Sequence, residues 1–141
     1  MEHNASILDI GYFLGKYGKN KNLKLLDMGC SNGEKVLKFL VKEEFKKIVY
    51  VGLDSVYWDE NISKKPVSSK RKNFIYGDAC NLPFSDGEFD LVVLSHVFEH
   101  IQDSEKLCSE LIKNNFPRFF HNTYRKSRRF KLNAVFVLTS K

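Results

Sequence analysis

The chain has 141 residues and a mass of 16.4 kDa, enough for one domain with its own core. Its 43% apolar content fits a globular fold, and no apolar run approaches the ~20 residues of a membrane span. The formal charge of +6 is uneven: residues 1–112 hold 15 Lys and Arg against 17 Asp and Glu, whereas residues 113–141 hold 8 and no acid. The first part alone is therefore slightly acidic, and all the positive excess sits at the end.

Met1-Glu2-His3-Asn4 offers neither the basic nor the apolar region of a secretory signal, so a cytoplasmic protein is expected. Cys30, Cys80 and Cys108 are odd in number and lack CxxC spacing. They read as reduced thiols, with no metal site expected.

Ala5 to Tyr17 places Ile7, Ile10, Phe13 and Leu14 at helical spacing, which predicts a short amphipathic helix against a sheet. Gly18 to Asn22 is a polar connector. Leu23 to Met28 is an apolar run and a first strand. It leads into Asp27-Met28-Gly29-Cys30-Ser31-Asn32-Gly33-Glu34, a tight turn and then a helix start. Glycine at 29 and 33 allows backbone to approach a ligand closely. Ser31 or Asn32 can cap a helix over about 33–42, whose apolar stripe is Val36, Leu37, Leu40 and Val41.

Ile48 to Leu53 is β-branched and aromatic, a second strand closed by Asp54. Residues 55–72 form a long polar loop or distorted helix. Phe74 to Tyr76 is a short third strand before Gly77-Asp78, and Asn81 to Glu88 is rich in turn formers. Phe89 to Ser95 is a fourth strand whose unalternating Leu91-Val92-Val93-Leu94 suits burial on both faces. A helix begins at Asp103, with Leu107, Cys108, Leu111 and Ile112 inward.

Strands alternating with helices predict an α/β fold with a parallel sheet, whose ligands bind beyond the C-terminal strand ends. Asp27, Asp54, Asp78 and Ser95 fall at or just past four successive strand ends and are expected to converge on one crevice. A strand-end acid can equally be a turn former or a helix cap, and the two glycines can serve backbone geometry alone. Their occurrence together favours binding.

These residues resemble the class I S-adenosylmethionine-dependent methyltransferases, in particular the small-molecule type 11 group. Asp27 to Gly33 matches D-x-G-x-x-x-G, and Gly52-Leu53-Asp54 matches the acid ending the second strand. Gly77-Asp78-Ala79 with Leu82-Pro83-Phe84 matches the adenine-side loop. Phe89 to His96, with Glu99-His100, matches the fourth motif. The resemblance spans about residues 23–101 of a single domain. It implies a Rossmann-like, mainly parallel sheet with helices on both faces. It also implies S-adenosylmethionine as cofactor, S-adenosylhomocysteine as product, and methyl transfer to an acceptor that the sequence does not identify.

By that resemblance the backbone of Gly29, Cys30, Ser31 and Gly33 holds the methionine part, and Asp27 helps fix the turn and the ammonium. Asp54, with Ser55 beside it, accepts from the ribose hydroxyls. Val56 lies against the adenine, Asp78 and Ala79 read its edge, and Ser95 completes the crevice. Ser31 stands where the family often has a middle glycine. His96 is the candidate general base, with His100 behind it, although a histidine there often only caps or packs.

A nicotinamide-binding domain competes, but G-x-G-x-x-G started at Gly29 needs glycine at 31 and normally 34, where the chain has Ser31 and Glu34. The resemblance stops near Ile112. Residues 113–141 form an atypical basic tail in which Ala134 to Leu138 is a candidate fifth strand, and the last strands of the usual seven-stranded sheet are missing. The tail reads in three ways. With Phe119, Phe120, Tyr124 and Phe130 among its cations it suits nucleic acid. It also suits a solvated linker before an edge strand, or a shortened or frame-altered product. An uncovered edge favours a homodimer or a partner subunit. Two functional classes follow: an active methyltransferase, and a donor-binding but catalytically incomplete domain that needs a partner.

Overall fold

A computed structural model describes residues 2–55, 71–95, 103–113, 119–122 and 135–139. The elements are α1 (Glu2–Gly18), β1 (Lys24–Met28), α2 (Glu34–Leu40), β2 (Val49–Asp54), β3 (Lys72–Tyr76), β4 (Leu91–Ser95), α3 (Ser104–Lys113), β5 (Phe119–Asn122) and β6 (Val135–Thr139). A 3₁₀ turn, Glu43–Phe45, separates α2 from β2.

The sheet runs β3-β2-β1-β4-β6-β5. Its first four strands are parallel, with Asp27 level with Gly52 on one side and Val93 on the other. Strand order reverses between β1 and β4, so the tips of β1, β2 and β4 share one end of the sheet, where α/β folds bind ligands.

Each of the four parallel strands divides its side chains between two cores. Leu25, Tyr50, Phe74, Leu91 and Val93 meet Ile10, Phe13 and Leu14 of α1 and Val36 of α2. Leu26, Met28, Val51, Leu53, Val92 and Leu94 meet Leu107 and Leu111 of α3. Apolar residues on both faces explain why β4 shows no alternation. Asp103 ends its strand-to-helix connection by accepting the Lys106 N–H at 3.0 Å, a side-chain cap for α3. At the far end of β1, the Lys24 N–H donates to Asp90 Oδ2 at 2.9 Å and Lys24 Nζ meets Glu88 at 2.5 Å.

Three expectations change. Val41 lies beyond the end of α2 and is 84% exposed, so the apolar stripe stops at Leu40. Phe119–Asn122, read from the sequence only as basic, aromatic tail, is a strand. The tail strand occurs where expected, shifted by one residue, but β6 runs antiparallel to β4 and pairs with β5 on its other side. The described sheet is therefore four parallel strands extended by two antiparallel ones, short of the seven expected of the family. The expectation of a long loop or distorted helix falls, over 56–70, outside the described residues, as does most of the basic tail, including Tyr124 and Phe130.

The double-sided core makes a definite prediction. Leu107 is fully buried, so Leu107→Ala is expected to cost about 3 kcal/mol, read as a lower urea midpoint with an unchanged slope.

Candidate functional site

The turn after β1 hangs from the end of β2. Gly29 and Cys30 both donate their N–H to the Leu53 carbonyl, at 2.8 and 3.1 Å, and the Gly33 N–H closes onto Cys30 O at 2.8 Å. Gly29 and Gly33 adopt φ of 69° and 79°, values that glycine takes without a Cβ clash. Ser31 also sits at positive φ, 51°. A non-glycine residue held there costs about 1–2 kcal/mol. Its amide explains what holds it, because Ser31 N–H donates to Asp54 Oδ2 at 2.7 Å. Neither Ser31 nor Asn32 is the N-cap of α2, which is Gly33; Asn32, one residue earlier, accepts the Glu34 N–H on its Oδ1 at 3.0 Å.

Asp54 thus joins two strand tips, and its main chain joins a third. The Gly77 N–H donates to the Asp54 carbonyl at 2.9 Å. Beyond it the chain folds back, with Asp78 Oδ1 accepting the Cys80 N–H at 2.8 Å and the Asn81 N–H donating to Asp78 O at 3.0 Å. This loop is anchored to α3 by Leu82 N–H donating to Glu110 Oε2 at 3.3 Å. Leu82 is buried, and Phe84 meets Phe89 edge-on at 4.8 Å, so the Leu82-Pro83-Phe84 segment closes the core behind the loop.

Asp27 lies beneath the turn. It is 2% exposed, the one buried charged residue among the described residues, and Tyr50 Oη donates to its Oδ2 at 2.6 Å. Burial pushes its carboxyl from 3.8 up to about 7. The Tyr50 bond and Lys35 act to lower it, and Asp54 acts to raise it further. The Cys30 thiol is buried beside this pair, donates to Ser31 O at 3.4 Å and is pushed up by burial, then by Asp27. It is not poised to react.

Gly29, Ser31, Asp54, Ser55 and Asp78 are at least partly exposed around the strand tips, whereas Asp27 and Cys30 are buried. Ala79 packs partly against the core on the α3 side. Ser95 ends β4, but its side chain is not described. Val56, His96, Glu99 and His100 lie outside the described residues. Tyr50 escaped the sequence reading, since an aromatic in a β-branched run is ordinary core. The signal was its position two residues before Gly52, on the same face, where a missing side chain opens a path across to β1.

A family model described as "Methyltransferase domain" matches residues 26–113, more than half of the chain. The chain belongs to the class I S-adenosylmethionine-dependent methyltransferases. It is similar to norajmaline N-methyltransferase of Rauvolfia serpentina, 34% identical over 100 residues that cover 70% of this chain and 34% of that one. Ajmaline N-methyltransferase of the same plant is 30% identical over 96 residues, 67% of this chain and 33% of the relative. The chain spans about a third of the length of these two relatives. The solved structure of an S-adenosylmethionine-dependent methyltransferase from Aquifex aeolicus shares the fold, with a TM-score of 0.61, 15% identity, and coverage of 94% of this chain and 89% of that one.

The raised Asp27 carboxyl has a measurable consequence for this methyltransferase domain. The folded chain holds a proton that the unfolded chain releases near pH 4. The stabilisation is therefore full below that pH and lost as pH rises through about 7. Stability of the ligand-free chain is expected to fall by about 2–3 kcal/mol more in wild type than in Asp27→Asn between pH 5 and pH 8. Urea unfolding at the two pH values reads this difference directly.

Proposed function

We propose that the crevice at the strand tips binds S-adenosylmethionine and that the chain takes part in methyl transfer. The observation that supports this reading most is the Asp54 carboxylate at the tip of β2, half-buried and tied to the glycine turn through the Ser31 amide. A carboxylate has about four acceptor sites, which suits it to the turn amide and to two vicinal ribose hydroxyls together. Turn backbone bare of Cβ at Gly29 gives the methionine part room to lie close, and Asp27 beneath sets a negative charge near its ammonium. Asp78 and Ala79 stand beside the Asp54 main chain, at the base end.

The residues present fit this donor, whose sulfonium supplies an already activated methyl group. The chain's own work is then to bind and orient, because collinear placement of the reacting groups supplies most of the rate gain in such a displacement. A proton acceptor is needed only where the methyl acceptor must lose a proton, and His96 is the candidate the sequence offers for it. The chain spans about a third of the two plant relatives, and the acceptor class stays open. The two plant relatives are N-methyltransferases by name, which makes an amine nitrogen the first acceptor to test.

A second reading is supported by the tail. β6 lies antiparallel beside β4 with β5 outside it, and on this reading the chain binds the donor while a partner subunit supplies the acceptor pocket. Donor binding is common to both readings, and turnover by the isolated chain separates them.

Asp54→Ala is expected to weaken S-adenosylhomocysteine binding by at least tenfold, as charge-assisted hydrogen bonds of about 1.5–3 kcal/mol are lost. Its far-ultraviolet circular dichroism is expected to stay that of wild type. Calorimetry giving equal affinity in a folded mutant would remove the site assignment.

A further inference from the structure

The Tyr50 hydroxyl occupies a hollow formed by two absent side chains. A Cβ on Gly33 would stand 2.8 Å from Tyr50 Oη, and a Cβ on Gly52 would stand 2.9 Å from it and 2.7 Å from Cys30 Sγ. Both are closer than real Cβ atoms approach. The last glycine of the turn and the glycine of β2 therefore leave room for this phenol. The ring starts from β2, level with Leu25, and reaches diagonally over Gly52 to Asp27, which lies level with Gly52 on β1. Phe74 packs against the ring with centroids 5.6 Å apart, and only 1% of the residue is exposed, so the hydroxyl has one fixed direction.

We propose that Tyr50 is a positioning residue for donor binding: its hydroxyl fills the hollow left by Gly33 and Gly52 and, by donating to the Asp27 carboxyl beneath the turn, favours its anionic form against the burial that opposes it. This rests on the reading of the crevice as an S-adenosylmethionine site. A buried carboxylate with no donor would take up a proton and lose its attraction for an ammonium. The phenol is suited to the task because burial, and then the neighbouring Asp27, push its own ionisation far upward, so it donates at every accessible pH. The charged and titratable groups around Asp27 are Tyr50 on β2, Cys30 in the turn, Lys35 on α2 and Asp54 at the β2 tip. Of these, Tyr50 is the one whose bond to the carboxylate is direct and buried.

The test is calorimetric titration of the full chain with S-adenosylhomocysteine, wild type against Tyr50→Phe, from pH 6.5 to 9.5. Taking the ratio of the two affinities cancels any titration of the ligand itself. A shift of one pH unit in the carboxyl makes that ratio about tenfold at pH 6.5, closing to within twofold at pH 9.5, where Asp27 is ionised in both. A ratio near one throughout, or a deficit that does not change with pH, overturns the inference and leaves the Asp54 reading standing. No binding by wild type at any pH overturns that reading, and this inference with it. Because Tyr50→Phe can fail to fold, the ¹³C shift of the Asp27 carboxyl is also followed in wild type. Its midpoint must fall when the ligand is added, and an unmoved midpoint overturns the proposal.

Discussion

One hydrogen bond organises the end of the sheet where the chemistry is expected: Ser31 N–H to the Asp54 carboxylate. Parallel pairing brings the tips of β1 and β2 level, but it does not decide what the connecting loops do beyond them. The carboxylate does so, by gripping an amide in the middle of the turn and keeping a serine in a left-handed conformation it would otherwise avoid. The same residue's carbonyl receives Gly77, so the loop after β3 takes its bearing from Asp54 as well. Three chain segments far apart in sequence thereby share one anchor.

Beneath this anchor lies a second, hidden layer. Asp27, next to last in β1, points into the core on the side of α1 and α2, among side chains that are mostly apolar. Burial makes it costly to ionise, and Tyr50 offsets part of that cost. Glycines at 33 and 52 make the offset sterically feasible. Strand-tip acids that look alike in sequence thus have different surroundings: Asp54 and Asp78 order backbone at the surface, while Asp27 is buried and bonded to Tyr50.

Much of this was legible. The apolar runs at 23–28, 48–53 and 89–95 become β1, β2 and β4 with boundaries moved by a residue or two, because burial on both faces leaves little choice of residue. The turn with Gly29 and Gly33 has the conformations its glycines announce. The depth of Asp27 was not legible, since a strand-end acid reads the same whether it faces solvent or core. Neither was the direction of β6: Val135 to Thr139 is a strand by composition, but composition carries no arrow, and β6 pairs antiparallel with β4. The short strand at 119–122 was masked by the basic residues around it, whose charge suggests solvent rather than a sheet edge.

The central claim is that β-strand tips meeting around Asp54 form the seat of a sulfonium nucleoside. A crystal structure of this chain with S-adenosylhomocysteine tests it most directly. The account predicts both ribose hydroxyls within hydrogen-bonding distance of Asp54, the amino-acid end against the backbone of Gly29 to Gly33, and the adenine beside Asp78 and Ala79. A nucleoside seated elsewhere, with Asp54 left facing only its own turn, would contradict it.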